Sequence, residues 1–249
     1  MEISKSMEKV TVKVGERPEN GSDDEKKYKE YDVPGKILAS VSLFFQTRLK
    51  PAWIARSGSA ISLPDHLPAA FDVYLRWINT QEVLVGSNES GPNGLETLMQ
   101  ASILGEPLLD NEFRDVMSDA IINFLLLQDN FAMVGYLQYI YENTNEDDPL
   151  REIGVDSCVY QTSSNWTFRG RRQGRVLMEI MWDLIDACQL RAYASYVTFK
   201  DRVNSEPCRY HKHNDEECYK RKRKYRDGVI VLPQVGDKEV EESGDEEEA

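Results

Sequence analysis

The sequence predicts an α/β fold of the α+β kind, in which a small sheet is flanked by a cluster of helices and followed by a helical extension. Apolar residues alternate in Val10–Val14, as in a short strand, and recur at helical spacing in Phe113–Phe124. Hydrophobic residues make up 41% of the 249-residue chain, which is enough for a core in one large domain or in a small domain with an appendage.

Short strands are expected in the first third of the chain. Val10–Val14 is followed by the polar loop Glu16–Lys27, and Tyr28–Val33 forms the returning strand of a hairpin. Ala60–Leu63 is the third strand, and a short edge strand is expected at Glu82–Val85. Proline or glycine follows each of these segments within a few residues, which fixes where the strands end.

Helices are expected between and after these strands. One runs from Ile37 to Leu49, a second starts at Pro68, and a third starts at Leu95 and ends by Pro107. The clearest helix follows Asp110. Its apolar residues have offsets of zero, three, four, seven, eight and eleven: Phe113, Val116, Met117, Ala120, Ile121 and Phe124.

The remainder of the chain predicts a helical extension with a polar tail. A helix is expected at Phe131–Tyr141, and Ser163–Gln173 is a polar link. A later helix repeats the same six offsets and is expected to pack inward: Leu177, Ile180, Met181, Leu184, Ile185 and Cys188. From Lys200 onward apolar residues become rare, so order is expected only around Val229–Leu232.

Four short motifs occur in a specific order along the first half of the chain. They are Ser42-Leu-Phe-Phe45, Ile61-Ser-Leu-Pro-Asp65, Phe71-Asp-Val-Tyr-Leu-Arg-Trp-Ile78 and the segment Leu104–Phe113. Their order and spacing resemble the BTB/POZ domain, most closely that of fungal BTB-domain proteins. A further match, Tyr141-Glu-Asn-Thr144 followed by Asp148-Pro-Leu-Arg151, lies beyond the domain.

This resemblance divides the chain into a tail (1–9), a BTB/POZ domain (10–127), a helical extension (128–199) and a C-terminal part (200–249). The last part holds a Cys/His segment, a basic block and an acidic tail, and is expected to be largely disordered. Two positions depart from the family pattern. Val33-Pro-Gly-Lys36 replaces a Val-His-Lys step, and His66-Leu67 replaces an acidic pair.

The resemblance implies a protein–protein interaction module that acts as a scaffold or adaptor. It implies self-association, for example as a homodimer, or docking to a partner such as a cullin-type ubiquitin ligase scaffold. A separate recognition domain, which a substrate-recruiting adaptor would carry, is not visible in the sequence. A plain interaction protein is therefore the leading expectation.

Composition and motifs do not favour an enzyme, a membrane protein or a nucleic-acid-binding protein. The three histidines, His66, His211 and His213, have no obvious nucleophile beside them, and no phosphate-binding loop is present. A net charge of −13 opposes nucleic acid binding, and no apolar run is long enough to cross a membrane. Four cysteines without an apolar leader indicate an intracellular protein, cytoplasmic, nuclear or both.

Cys208, His211, His213 and Cys218 form a candidate metal site. Two thiols and two imidazoles are a ligand set that tetrahedral zinc prefers, although the spacing differs from that of a zinc finger. The alternatives are an exposed polar turn, a turn that docks on the extension through Tyr210, or a Cys208–Cys218 disulfide. A similar Cys-x-Tyr-His-x-His stretch recurs in the fungal BTB group.

A basic block directly after this segment is a candidate nuclear-import signal: Lys220, Arg221, Lys222, Arg223 and Lys224. The acidic tail Glu239–Glu248 could fold over the block and mask it. An alternative function follows, in which the chain is a nuclear regulatory factor that uses the BTB domain for assembly and the Cys/His segment to bind zinc.

Overall fold

A computed structural model describes residues 9–16, 27–58, 60–88, 94–128, 133–161, 178–194, 198–213, 218–222 and 229–232. The strands are β1 (Val10–Val14), β2 (Lys29–Val33), β3 (Ile61–Leu63), β4 (Val83–Leu84) and β5 (Ile230–Val231). The helices are α1 (Gly35–Val41), α2 (Leu43–Arg48), α3 (Pro51–Ser57), α4 (Pro68–Thr80), α5 (Leu95–Gly105), α6 (Asn111–Leu127), α7 (Leu137–Asn143), α8 (Pro149–Tyr160), α9 (Met178–Tyr193) and α10 (Phe199–Ser205). Residues 1–8, the polar link Ser163–Gln173, Leu177 and the acidic tail lie outside the described residues.

The main sheet has three strands in the order β2-β1-β3. Strands β1 and β2 are antiparallel, with Val10 opposite Val33, and β3 joins β1 in parallel, with Val12 opposite Ile61. This confirms the predicted hairpin and the third strand. Gly15 ends β1 with a positive φ of 87°, and a Cβ there would meet the carbonyl oxygen of Lys27, so the turn requires glycine.

The single helix expected from Ile37 to Leu49 is instead two short helices, and α3 follows them. The chain is extended at Ser42, between α1 and α2. The Ser42 hydroxyl accepts from the Phe45 N–H at 3.2 Å, which caps α2, and donates to the Leu108 carbonyl at 2.6 Å. This bond to a distant loop fixes the break, and the helical spacing of the apolar residues gives no sign of it.

Helices α4, α5, α6 and α8 enclose a core rich in aromatic side chains. The rings of Tyr74 and Phe113 meet edge to face with centroids 4.9 Å apart, and Phe71 meets Tyr31 at the same distance. Helix α6 is central because α5 and α8 both pack on it. The prediction of a mixed α/β fold with a small sheet is confirmed at this level. The helix expected at Phe131–Tyr141 is a short 3₁₀ turn, Met133–Gly135, followed by α7.

The segment after Lys200 returns to the body of the protein. Strand β5 pairs in parallel with β4, Val83 opposite Ile230, and Tyr210, Cys218 and Tyr219 are buried. The order expected around Val229–Leu232 is present as β5, whereas Tyr210, Cys218 and Tyr219 are buried and ordered in a part of the chain for which disorder is expected. The expectation of disorder rests on the low apolar content after Lys200, whereas hydrogen bonds and ion pairs to α6 and α8 hold the Cys/His segment in place. No helix within the described residues has the length and apolar composition to cross a membrane.

Candidate metal centre

The Cys/His segment is attached to the extension through two carboxylates of α8, Asp156 and Glu152, of which Glu152 forms an ion pair with Arg209. Asp156 accepts a charged hydrogen bond from Arg202 of α10 at 3.2 Å and a second from the Tyr210 hydroxyl at 2.8 Å. Arg202 and Asp156 are both nearly inaccessible to solvent. A buried ion pair of this kind is fixed in geometry, because either charge alone would be costly to bury. The predicted docking through Tyr210 is therefore present.

The four predicted ligands converge at the end of this segment. One ligand atom from each of Cys208, His211, His213 and Cys218 lies within 4.8 Å of all the others, so the cluster can hold a metal ion. His211 Nδ1 lies 2.9 Å from His213 Nε2 and 3.8 Å from Cys218 Sγ. Tetrahedral zinc with nitrogen and sulfur ligands requires separations of roughly 3.3–3.8 Å between donor atoms, so the two histidine nitrogens would move apart and the widest separations would shorten when the ion binds.

The backbone bends to bring these side chains together. The His211 N–H donates to the Cys208 carbonyl at 3.1 Å, which closes a tight turn. Beyond the last ligand, the 3₁₀ turn Tyr219–Arg221 follows Cys218. His211 and Cys218 are buried, while Cys208 and His213 are half-buried. Four protein ligands in a closed setting are typical of structural metal sites, whereas catalytic sites keep one position open.

Two carboxylates on α6 face the histidines. His211 Nε2 lies 3.1 Å from Asp119, and His213 Nε2 lies 3.6 Å from Asp115. Asp115 also accepts from the backbone N–H of Lys212 at 2.6 Å. A carboxylate on one imidazole nitrogen holds the proton there and leaves the other nitrogen free to bind metal. Asp119 therefore directs Nδ1 of His211 toward the centre of the cluster.

The electrostatic setting differs between these two carboxyls. Burial raises the pKa of Asp115. Burial also opposes ionisation of Asp119, but its hydrogen bond with His211 and the charge of Lys220 outweigh this effect and lower its pKa. Asp119 is therefore an anion beside the cluster. Burial and the nearby Asp119 raise the pKa of the Tyr219 phenol, which donates to the same carboxylate. A fixed negative charge at this position favours a cation.

The candidate nuclear-import signal is tied to the same helix at two positions. Lys220 donates to Asp119 at 2.8 Å, and Lys222 forms an ion pair with Glu112 of α6. Arg223 and Lys224 lie outside the described residues. The third histidine, His66, lies in the turn before α4, where burial lowers its pKa, and it is not part of the cluster.

The sequence indicates the four ligands but not the acidic residues of α6 that contact the histidines and the basic block. Glu112, Asp115 and Asp119 lie opposite the apolar stripe of α6, where acidic residues usually face solvent. The available signal was the match between this acidic face and the basic residues that follow Cys218. That match predicts attraction between the two regions but not which acidic and basic side chains form ion pairs.

Comparison with known proteins leaves the family open. No family model matches the chain, and no curated protein matches it. The resemblance to BTB/POZ domains therefore stays a prediction based on the motifs themselves.

Proposed function

We propose that the chain is a protein-interaction module of the BTB/POZ type whose C-terminal segment is clamped onto helix α6 by a structural zinc ion. The observation that carries the metal part is the convergence of Cys208, His211, His213 and Cys218 within 4.8 Å. The interaction part rests on the BTB-like motifs along residues 10–127. The proposed role is one of binding and assembly rather than catalysis.

Zinc is proposed rather than another ion because of the donor set. Two thiolates and two imidazoles suit zinc, whereas calcium and magnesium require oxygen ligands. The centre is also closed, so a bound ion would have no position left for a substrate. These properties favour a structural ion that contributes folding energy.

The clamp follows from where the ligands are attached. The Cys/His segment reaches α8 through Asp156 and α6 through Asp115 and Asp119. A zinc ion would cross-link Cys208 and Cys218, the two ends of the loop that carries these contacts. It would thereby hold the segment, and β5 beyond it, against the helices. The outer face of α6 would then be part of the interior of the module.

The interaction role is expected to be self-association as a homodimer or docking to a protein partner, including a cullin-type scaffold. Affinity purification from native cells followed by mass spectrometry tests this part. Recovery of a cullin supports the adaptor role, and recovery of only the chain itself supports self-assembly. Recovery of transcription or chromatin proteins supports the nuclear regulatory alternative.

The zinc part is tested by elemental analysis of the full chain purified without added metal. We expect one zinc per chain in the wild type and its loss in Cys208→Ser and Cys218→Ser. Cys188→Ser is the matched control, because Cys188 is an exposed cysteine of α9 outside the cluster. Zinc that stays bound in both ligand variants, or that is absent from the wild type, contradicts the proposal.

One observation favours keeping the nuclear alternative. Lys220 and Lys222 of the basic block follow the last ligand directly and keep side-chain exposures of 43% and 44% despite their ion pairs. An import receptor could therefore reach them. Deleting Lys220–Lys224 is expected to move a nuclear protein to the cytoplasm, and an unchanged distribution removes this alternative.

A further inference from the structure

Helix α9 has two apolar faces, and only one of them is buried. Ile180, Leu184 and Ala187 pack against the body of the protein, where α8 is the principal neighbour. The neighbouring arc of the helix exposes a contiguous row of apolar side chains: Met178, Met181, Trp182 and Ile185, with exposures of 65%, 38%, 59% and 40%. At 100° per residue these four positions span about a third of the helix circumference.

An exposed row of this kind is typical of a binding surface. Scattered apolar residues on a surface are ordinary, but a contiguous row that includes a half-exposed tryptophan is not. Tryptophan and methionine are enriched in the cores of protein interfaces. Their presence on one helix face indicates that another element packs there.

The edge of this row is acidic. Asp186 and Glu179 follow it around the helix and Asp183 lies further round; all three are exposed, although Glu179 is paired with Arg151 and Asp183 accepts a hydrogen bond from the Tyr141 hydroxyl. Asp183 and Asp186 also line a cavity of about 420 Å³ between α8, α9 and the Cys/His segment, together with Glu146 and Asp147. Within the described part of the chain, these four cavity carboxylates have no cation within 4 Å.

The other carboxylates of the cavity are already neutralised. Asp148 is paired with Arg114, Asp156 with Arg202, and Glu152 with Arg209. The cavity therefore has ion pairs on its α8 wall, while Asp183 and Asp186 of α9 and Glu146 and Asp147 of the α7–α8 loop exceed in charge the one further basic residue of its lining, Lys212. A basic side chain that enters it would meet complementary charge.

We propose that the outer face of α9 and this acidic cavity together bind a basic amphipathic helix of a partner protein. The apolar side of that helix packs on Met181, Trp182 and Ile185, and its lysine or arginine side chains reach Asp186 at the edge of the row and the carboxylates of the cavity beyond it. This is the helix-on-groove mode of recognition, with apolar anchors at helical spacing and a charged edge that sets orientation. The cavity is also lined by His211 and by Asp148 and Arg151, so this surface adjoins the proposed metal centre and lies outside the BTB-like motifs of residues 10–127.

A second copy of the chain fits this surface less well. Two-fold pairing of α9 with itself in antiparallel orientation places the acidic edge of one helix beside the same edge of the other. Like charges in that position are repulsive. A partner of opposite charge has no such penalty.

The test uses the zinc-loaded full chain and a fluorescent peptide of about 16 residues, with leucine and lysine arranged on opposite faces of a helix. We expect saturable binding, measured by anisotropy, that weakens as salt is raised. A peptide of the same pattern with glutamate in place of lysine is expected not to bind.

Two variants and their matched controls locate the binding. Trp182→Gln is expected to weaken it about tenfold or more, as loss of a buried aromatic anchor does. Trp53→Gln, at an exposed tryptophan of α3, is its control. Asp183→Asn with Asp186→Asn is expected to weaken binding by roughly three- to tenfold, whereas Glu16→Gln with Asp65→Asn removes the same charge elsewhere and has little effect.

Zinc content and unfolding midpoint are measured for every variant, so that loss of the fold or of the metal is not mistaken for loss of the surface. Equal weakening in the variants and their controls overturns the proposal, as does the absence of binding by the lysine peptide. Self-association of the wild type that Trp182→Gln abolishes also overturns it, because the occupant would then be a second copy.

Discussion

Helices α6 and α9 share one apolar pattern but lie in different surroundings. In α6 the six positions at offsets zero to eleven are all fully buried. In α9 the residues at three of the same offsets are exposed: Met181 and Ile185, at 38% and 40%, and Cys188. The pattern correctly predicts that each helix is amphipathic. It does not predict how much of the apolar stripe is covered.

The difference follows from the neighbours of the two helices. Helix α6 has α5 and α8 on its sides, and the Cys/His segment covers its acidic back. Helix α9 packs on α8 and to a lesser extent on α7. An apolar stripe therefore indicates that a helix packs against another surface. How much of the stripe the same chain buries depends on the elements that the tertiary structure places beside it.

The largest expected difference between the two helices is the loss of stability when the methionine at the same offset is replaced by alanine in each. Met117→Ala in α6 removes a fully buried side chain and should lower the free energy of unfolding by about 2–5 kcal/mol. Met181→Ala in α9 should cost less than about 1 kcal/mol, because the site is partly open to solvent. Urea unfolding of both variants measures the difference. Equal losses would mean that α9 is covered as completely as α6.

Removal of zinc should release the Cys/His segment and expose the acidic side of α6 to solvent, as the outer face of α9 already is. A chelator is expected to lower the free energy of unfolding by about 4 kcal/mol relative to protein in zinc at a thousand times its dissociation constant. Hydrogen exchange should then accelerate in residues 208–222 while the core of α6 stays protected. Unchanged exchange in that segment would show that the polar contacts alone hold it.

The carboxylates behind the ligands should have a smaller effect than the ligands themselves. Asp119→Asn keeps the shape of the side chain but removes the charge beside His211, Tyr219 and Lys220. We expect zinc affinity to fall about 10- to 100-fold, measured by competition with a chromogenic chelator. Asp183→Asn is a control, since Asp183 lies on α9 and should leave zinc affinity unchanged.

The same carboxylate gives a pH prediction for the zinc-free chain. The pKa of Asp119 is lowered in the folded state, so its contribution to stability is present above the unfolded pKa of about 3.9 and is lost as the pH falls through the folded pKa. The wild type should therefore lose stability more steeply than Asp119→Asn below pH 4, by up to about 1.4 kcal/mol per pH unit. Parallel pH profiles would contradict the ion pair.

The sequence pattern predicts those strands and helices whose start and end are set by residues within them or directly beside them. The β1–β2 hairpin follows from alternation and breakers, and α4 and α6 follow from their stripes and from Pro68 and the Asp110 cap. The ligand types of the metal cluster were also readable, because cysteine and histidine occur together in few other roles.

Contacts between distant parts of the chain were not predictable in the same way. The break at Ser42 depends on a bond to Leu108, and the pairing of Val83 with Ile230 joins two segments that are weak strands alone. The sequence does not predict helix α8 as a separate element. Its residues are buried on almost every side, so apolar residues do not form a stripe on one face. The role of Asp119 depends on residues 92 and more positions later.

Whether zinc cross-links the Cys/His segment is decided by X-ray absorption at the zinc edge of the purified full chain. We expect two sulfur neighbours at about 2.3 Å and two nitrogen neighbours at about 2.0–2.1 Å, and the loss of one sulfur neighbour in Cys218→Ser. A zinc edge without sulfur neighbours, or protein that binds no zinc, would contradict the cross-link.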